Sequence, residues 1–332
     1  MASIDDVARA AGVSTATVSR TLSGRGTVSE ATRRRVLDAA SALGYVVSSR
    51  ASGLASGRTR NIGVIVPYLD RWFFSTVLSG VSAALMRVGY DITLYNITAD
   101  RAVRREVFDT FLRRQGVDAV IAVSIKLDED ETRQLLGLGL PVIAIGGPHP
   151  TLDTLSVDEL AVARLATEHL LALGHRDIVY LGAGPEFDDD FHVPTNRRHG
   201  FEQALVAAGV PLDPTRLLAA DFTIEGGHRA ATALLAAAGR RPTAVFAASD
   251  EMAIGTILAA RDLGLRVPED LSVIGIDGHE LGAVFGLTTV DQYPLQQGER
   301  AAAAALARLG EGDEPGASLP FELTVRGSTA RV

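Results

Sequence analysis

Residues 61–74 read NIGVIVPYLDRWFF, and the break inside this stretch sets the fold class. IGVIVP (62–67) is a short apolar run closed by a proline, the pattern of a buried strand. From Phe73 the spacing changes, with Phe73, Val77, Val81 and Leu85 standing four apart on one helical face. The alternation repeats downstream, with strand-like runs at 91–97, 117–123 and 141–146 and then a helix over 158–174. It restarts with runs at 177–183, 216–222, 244–249 and 272–278. Strands alternating with amphipathic helices build parallel sheets. The pattern predicts an α/β chain with two tandem doubly wound parallel-sheet halves, an Ala-rich helix (294–309) and a last strand (321–327). Two such halves leave a cleft at the carboxyl ends of their strands, where ligands bind.

Upstream, 46–61 reads VVSSRASGLASGRTRN, a small and polar linker. A short helix around 48–55 would be weakened by Gly53, which costs about 1 kcal/mol relative to alanine. Before the linker the spacing predicts three short helices. Ser3 with Asp6 makes a capping box ahead of Ile4, Val7, Ala8 and Ala11, which share one face. Gly12 ends that helix, and Ser14 caps a second with Val18 and Leu22 inward. Ser29 caps a third with Val36, Ala40 and Leu43 inward.

Composition narrows the function class. The 332 residues are 47% hydrophobic but only 5% aromatic, an aliphatic globular chain long enough for two or more units. No apolar run approaches membrane-spanning length, and MASIDDVARA lacks the basic-then-apolar order of a secretory signal. Cysteine is absent, so neither disulfides nor thiolate metal sites form. The expectation is a cytoplasmic protein without cofactor or metal. Charge is divided unevenly: residues 1–60 hold nine arginines against four acids, a net of +5. That leaves −13 for the remainder of a chain whose total is −8. A basic head on an acidic body suits an anionic partner for the head alone, although an ordinary solvated arginine face gives the same count.

A helix–turn–helix needs a small residue in its first helix, a glycine in the turn and an aliphatic residue in the second helix. Ala8, Gly12 and Val18 supply these in order. Thr15, Ala16, Ser19 and Arg20 then point outward. Arginine bonds guanine through two donors, threonine and alanine touch a thymine methyl, and serine hydroxyls suit phosphates.

SIDDVARAAGVSTATVSRTLSG with VSEATRRRVLDAASALGY resembles the DNA-binding head of LacI/GalR-type bacterial transcription regulators. The resemblance runs on through TRNIGVIVP, YLDRWFF, ATEHLLALGHRDIVYLG, DFTIEGG, AVFAASDEMAIG, LGLRVPEDLSVIGIDG and LTTVDQ, nearly the whole chain in order. It implies a helix-turn-helix domain (1–46), a hinge (47–60) and an effector-binding and dimerisation domain (61–332) related to periplasmic sugar-binding proteins. The implied halves of that domain are 61–159 with 291–320, and 160–290 with 321–332. The implied partners are a pseudo-palindromic operator, a second copy in a homodimer, and a small effector, usually a sugar; no membrane is involved.

Carried over position by position, the resemblance assigns base reading to Thr15, Ala16 and Arg20, and phosphate contacts to Ser14, Thr17, Ser19, Ser29 and Thr32. Leu54 stands where the family wedges a leucine into the minor groove. Val47, Ser52 and Gly53 depart from the usual hinge pattern, which makes hinge folding more dependent on DNA. For the effector it points to Phe73, Arg197, Phe222, Ser249, Asp250 and Asp277, with Asp70 and Gln292 as secondary candidates. Carboxylates and a guanidinium would bond hydroxyls while aromatic rings stack on a pyranose. The acidic loop at 185–195 is read as a solvated rim. The sequence lacks GxSxG, HExxH, Walker A and GxGxxG patterns. A free sugar-binding protein or a sugar-processing enzyme is therefore the alternative, and the basic head argues against it.

Overall fold

The computed structural model describes residues 2–23, 27–45, 58–97, 101–114, 116–125, 127–147, 149–184, 193–237 and 239–332. It divides into two units, Met1–Asn61 and Ile62–Val332. The hinge positions Val47, Ser52, Gly53 and Leu54 lie outside the described residues, as does most of the acidic loop.

In the first unit, local capping chemistry sets the helix ends. The capping box at Ser3 and Asp6 opens α1 (Ile4–Ala11), and Gly12, in the left-handed region at φ 65°, closes it. The Ser14 hydroxyl accepts the Thr17 amide at the start of α2 (Thr15–Ser23). The Ser29 hydroxyl does the same for Thr32 at the start of α3 (Glu30–Ala42). Val7, Val18 and Val36 are fully buried, with Ala8, Ala11 and Ala40 completing a small aliphatic core. Burial of each valine is worth ~1.5–3 kcal/mol. Leu22 packs partly against this core. The inward assignment of Leu43 fails: it is 41% exposed and sits at the C-cap of α3, beyond Ala40, the last buried residue of the head's core.

The second unit holds two sheets. The first has strands β1 (Asn61–Val66), β2 (Asp91–Asn96), β3 (Ala119–Val123), β4 (Val142–Ile145) and β5 (Asp153–Leu155) in the order β2-β1-β3-β4-β5. β1 with β3, β3 with β4 and β4 with β5 pair parallel. The second comprises β6 (Ile178–Ala183), β7 (Leu217–Ala220), β8 (Ala244–Ala247), β9 (Ser272–Asp277), β10 (Thr288–Asp291) and β11 (Glu322–Thr324). Their order is β11-β10-β9-β8-β6-β7; β11 pairs antiparallel with β10, and the other four pairings are parallel. β5 and β10 are too short and too mixed in composition for periodicity to mark. The remaining strands fall within their predicted runs.

Three passages link the sheets: β5 leads into the second half, β10 leads back toward the first, and β11 returns. The return helix α12 (Pro294–Arg308) packs on α4 (Trp72–Arg87), the helix that follows β1. This approach needs glycine on both helices. A Cβ at Gly80 would overlap the Leu295 carbonyl, and one at Gly298 the Val77 carbonyl. Val77, Val81 and Leu85 are buried on the predicted face of α4, while Phe73 is half-buried at its start.

Candidate functional site

In the first sheet the order reverses between β2-β1 and β3-β4-β5, so the crevice rule places ligands beyond the carboxyl ends of β1 and β3. A cavity of about 560 Å³ lies there. From the first sheet come the segment 67–71 after β1, Asn96 and Ile97 after β2, and Ser124 and Ile125 after β3. From the second come Asp221 and Phe222 after β7, Ser249 after β8, and Asp277 at the end of β9.

Three lining residues other than glycine sit in the left-handed region: Ser124 (φ 42°), Phe222 (φ 57°) and Asp277 (φ 125°). Each such residue costs on the order of 1–3 kcal/mol, which the surrounding packing must offset. That they gather around one cavity marks it as the place where the fold accepts strain for geometry.

At its centre is Arg197, only 5% exposed, on α8 (Val193–Ala207). Its Nε donates to Glu159 at 2.6 Å, an Nη donates to the Ala248 carbonyl, and Asp277 lies 3.7 Å away. Burial opposes the Arg197 charge, yet Glu159 and Asp277 outweigh it and hold the group firmly ionised. Burial pushes Asp277 well above the usual carboxylate range; Arg197 pulls against this, while Asp250, Glu159 and Glu251 add to it. Glu251 is likewise raised, by burial first.

Of the residues expected at the effector site, Asp70, Phe73, Arg197, Phe222, Ser249 and Asp277 line the cavity. Ser249 lines it while its hydroxyl accepts the Met252 amide, capping α10 (Asp250–Asp262). Asp250 is a correction. It is fully buried and absent from the lining, and it accepts the backbone amides of Gly278 (3.0 Å) and His279 (2.7 Å). It therefore clamps the turn after β9 that presents Asp277. Burial raises its pKa to about 7. Gln292 is the second correction: 1% exposed and off the lining, it follows β10 and accepts from Gln297 through its backbone carbonyl. Both stand one step behind the lining because their side chains turn inward, Asp250 from the first turn of α10 and Gln292 from the end of β10.

The structure adds residues that the resemblance does not assign to the site, several of them inside the quoted motifs. The Arg71 guanidinium donates to the Asp221 and Phe222 carbonyls, each at 3.3 Å, and so joins the β1 side of the cavity to the β7 side. The Trp72 ring stacks on His279, with centroids 4.3 Å apart and planes at 22°. His279 accepts the Leu281 amide at Nδ1, so its proton sits on Nε2, and burial lowers its pKa. Tyr68, Phe74, Asn96, Arg104, Glu159, Asp221 and Glu251 also line the cavity. They come from six separate segments of the chain, so no local spacing could have grouped them.

On the first unit Thr15, Ala16, Ser19 and Arg20 are exposed along α2, opposite the buried Val18. Of the expected phosphate-contacting groups, Ser14 pairs with Thr17 (3.0 Å between hydroxyls) and Ser29 with Thr32 (2.9 Å) at the starts of α2 and α3. Each pair sits at a helix N-terminus, where the dipole favours an anion.

Residues 3–48 match the family model "Bacterial regulatory proteins, lacI family", and residues 167–329 match "Periplasmic binding protein-like domain". The chain is 34% identical to the HTH-type transcriptional repressor CytR of Escherichia coli (strain K12), covering 99% of this chain and 96% of that one. A crystal structure of the lac repressor dimer bound to operator and the anti-inducer ONPF aligns with a TM-score of 0.83 at 26% identity, covering 99% of both chains. A complex of the transcriptional regulator CelR with cellobiose aligns at 0.69 and 30% identity, covering 99% of this chain and all of that one.

Proposed function

The chain belongs to the LacI family of bacterial regulatory proteins and is a DNA-binding transcriptional regulator. From that premise we propose that it is a dimeric repressor, acting in the cytoplasm, whose operator binding is set by a small hydroxylated effector in the 560 Å³ cavity. One observation carries this reading: the cavity wall is drawn from the carboxyl ends of both sheets. A ligand there touches both halves at once, so its binding energy differs between closed and open arrangements. That difference is what an allosteric coupling requires, and couplings of ~1–3 kcal/mol change occupancy by tenfold or more.

In the head, Thr15, Ala16 and Arg20 read base edges in the major groove, while Ser14, Thr17, Ser19, Ser29 and Thr32 hold phosphates. Two heads, one per subunit, match the two halves of a pseudo-palindromic operator, and Leu54 enters the minor groove between them. In the cavity, Arg197 and Asp277 bond ligand hydroxyls from the second sheet, with Asp70 at the rim and Phe73 and Phe222 against an apolar ring face. The complex of CelR with cellobiose supports a sugar as the class.

The test is selection of operator sequences from a random duplex pool with the full chain, then a thermal-shift screen of sugars and release of the selected duplex by each hit. The proposal expects an inverted-repeat consensus and at least one sugar that changes retardation. A pool that yields no consensus, or a consensus whose binding no screened sugar alters, counts against it.

A further inference from the structure

Every guanidinium that lines the cavity is engaged by the protein's own oxygens. Arg197 is held by Glu159 and the Ala248 carbonyl, and Arg71 by two carbonyls from the opposite side. Arg104 is gripped side-on by Glu131, with Nε at 2.7 Å from one carboxylate oxygen and Nη2 at 2.6 Å from the other. This bidentate geometry is the strongest form of the pair.

Glu131 is buried and is not part of the lining. It is fixed from a second direction, because it closes the capping box of the helix Glu129–Gly137. The Asp128 amide donates to its carboxylate at 3.1 Å, while its own amide donates to the Asp128 carboxylate at 2.8 Å. The helix start therefore aims the carboxylate at Arg104, and one carboxylate oxygen, Oε2, serves both the cap and the guanidinium. Against three engaged guanidiniums the lining carries the carboxyl groups of Asp70, Glu159, Asp221, Glu251 and Asp277. Among the described residues, a phosphate entering this wall would lose its hydration without finding an unengaged cation to replace it. A hydroxyl, which can donate, meets acceptors on several sides.

We propose that Glu131, from behind the cavity wall, determines charge selectivity: by holding Arg104 it keeps that guanidinium from ligands, so the cleft accepts uncharged hydroxylated molecules and rejects their phosphorylated or carboxylated forms. This rests on the cavity being the effector site.

The experiment measures calorimetric affinities of the full chain for glucose with glucose 6-phosphate, ribose with ribose 5-phosphate, and inorganic phosphate alone. It then repeats them with Glu131→Gln and with the double variant Glu131→Gln/Arg104→Gln. In the unmodified chain the phosphorylated member should bind at least about 30-fold more weakly than a neutral parent that binds. Glu131→Gln should gain about tenfold for inorganic phosphate, the scale of one charge-assisted bond, and the double variant should lose that gain. A phosphorylated sugar that outbinds its parent in the unmodified chain overturns the proposal. So does an unchanged phosphate affinity in Glu131→Gln, or a gain that survives in the double variant. Should Glu131→Gln fail to fold, the comparison in the unmodified chain decides alone. Retardation of the selected operator is followed in the same preparations. Loss of all sugar response there counts against the effector reading, whereas phosphate selectivity addresses Glu131.

Discussion

The head and the cavity handle charge in opposite ways. Among its described residues the head buries aliphatic side chains and one hydroxyl, that of Thr21, but no charged group, and it leaves Thr15, Ala16, Ser19 and Arg20 on the outside of one helix. The cavity buries its charges: Arg197, Asp277 and Asp250 are each 7% exposed or less and are tied to one another or to backbone amides. A surface that must meet a hydrated polyanion gains from groups that are solvated and independent. A cavity that must orient a small ligand gains from groups already fixed in place. The contrast predicts that substitutions in the cavity act on stability first, and substitutions on α2 act on binding alone.

Arg197→Met is the severest way to break that contrast. It leaves Glu159 and Asp277 buried without their cation, which should cost about 3–5 kcal/mol in urea unfolding of the second unit. An unchanged midpoint would mean the carboxylates find water, and the cavity would then resemble the head. Asp250→Asn sharpens it with pH. An acid whose folded pKa is about 7, against 3.8 unfolded, binds its proton more tightly when folded. Its ionisation therefore erodes stability progressively as pH rises from about 4 through 7. The asparagine oxygen can still accept the two amides, so the variant should unfold at higher urea than the unmodified chain at pH 8. The gap should shrink toward pH 5, and a gap of the same size at both pH values removes Asp250 as the cause.

How much of this was legible follows from the same contrast. Ser3, Gly12, Ser14 and Ser29 act within four residues of their partners, so spacing alone located the head's caps, while Val18 was placed by the helical period of its own segment. The α/β alternation was legible because buried parallel strands read as unbroken apolar runs. The cavity was legible only where a side chain sits in a recognisable motif, as with Arg197 and Asp277. Arg71 was missed because its partners are the backbone carbonyls of Asp221 and Phe222, 150 residues on, and a carbonyl leaves no trace in composition. Asp250 and Gln292 were placed one layer too far forward, since a motif gives the position but not the direction in which its side chain leaves the backbone.

Arg20→Ala tests the head side of the comparison. It should cost about 1–3 kcal/mol in operator affinity, seen by retardation, and relax discrimination at one base pair. Unfolding should move by no more than ~0.5 kcal/mol. A large stability change would show that the exposed face also holds the head together. Ser14→Ala has the smallest expected effect, about 0.5–2 kcal/mol on head stability through the lost Thr17 cap. It is read by amide exchange in α2, and faster exchange confined to that helix is the expected pattern.

The return of β11 to the far edge of the second sheet has a consequence for synthesis. The head is complete by residue 45 and can acquire its helices while most of the chain is still being made. The second sheet instead lacks its edge until Glu322–Thr324 leaves the ribosome, after α12 has already passed back to the first half. Between the synthesis of residue 291 and that of residue 322, then, a nascent chain would expose β10 as an open edge, which neighbouring chains can extend. The DNA-reading unit is ready early, but the ligand-responsive unit comes together only when the last strand docks, so a polypeptide stalled before residue 322 would carry a formed head with no means of control.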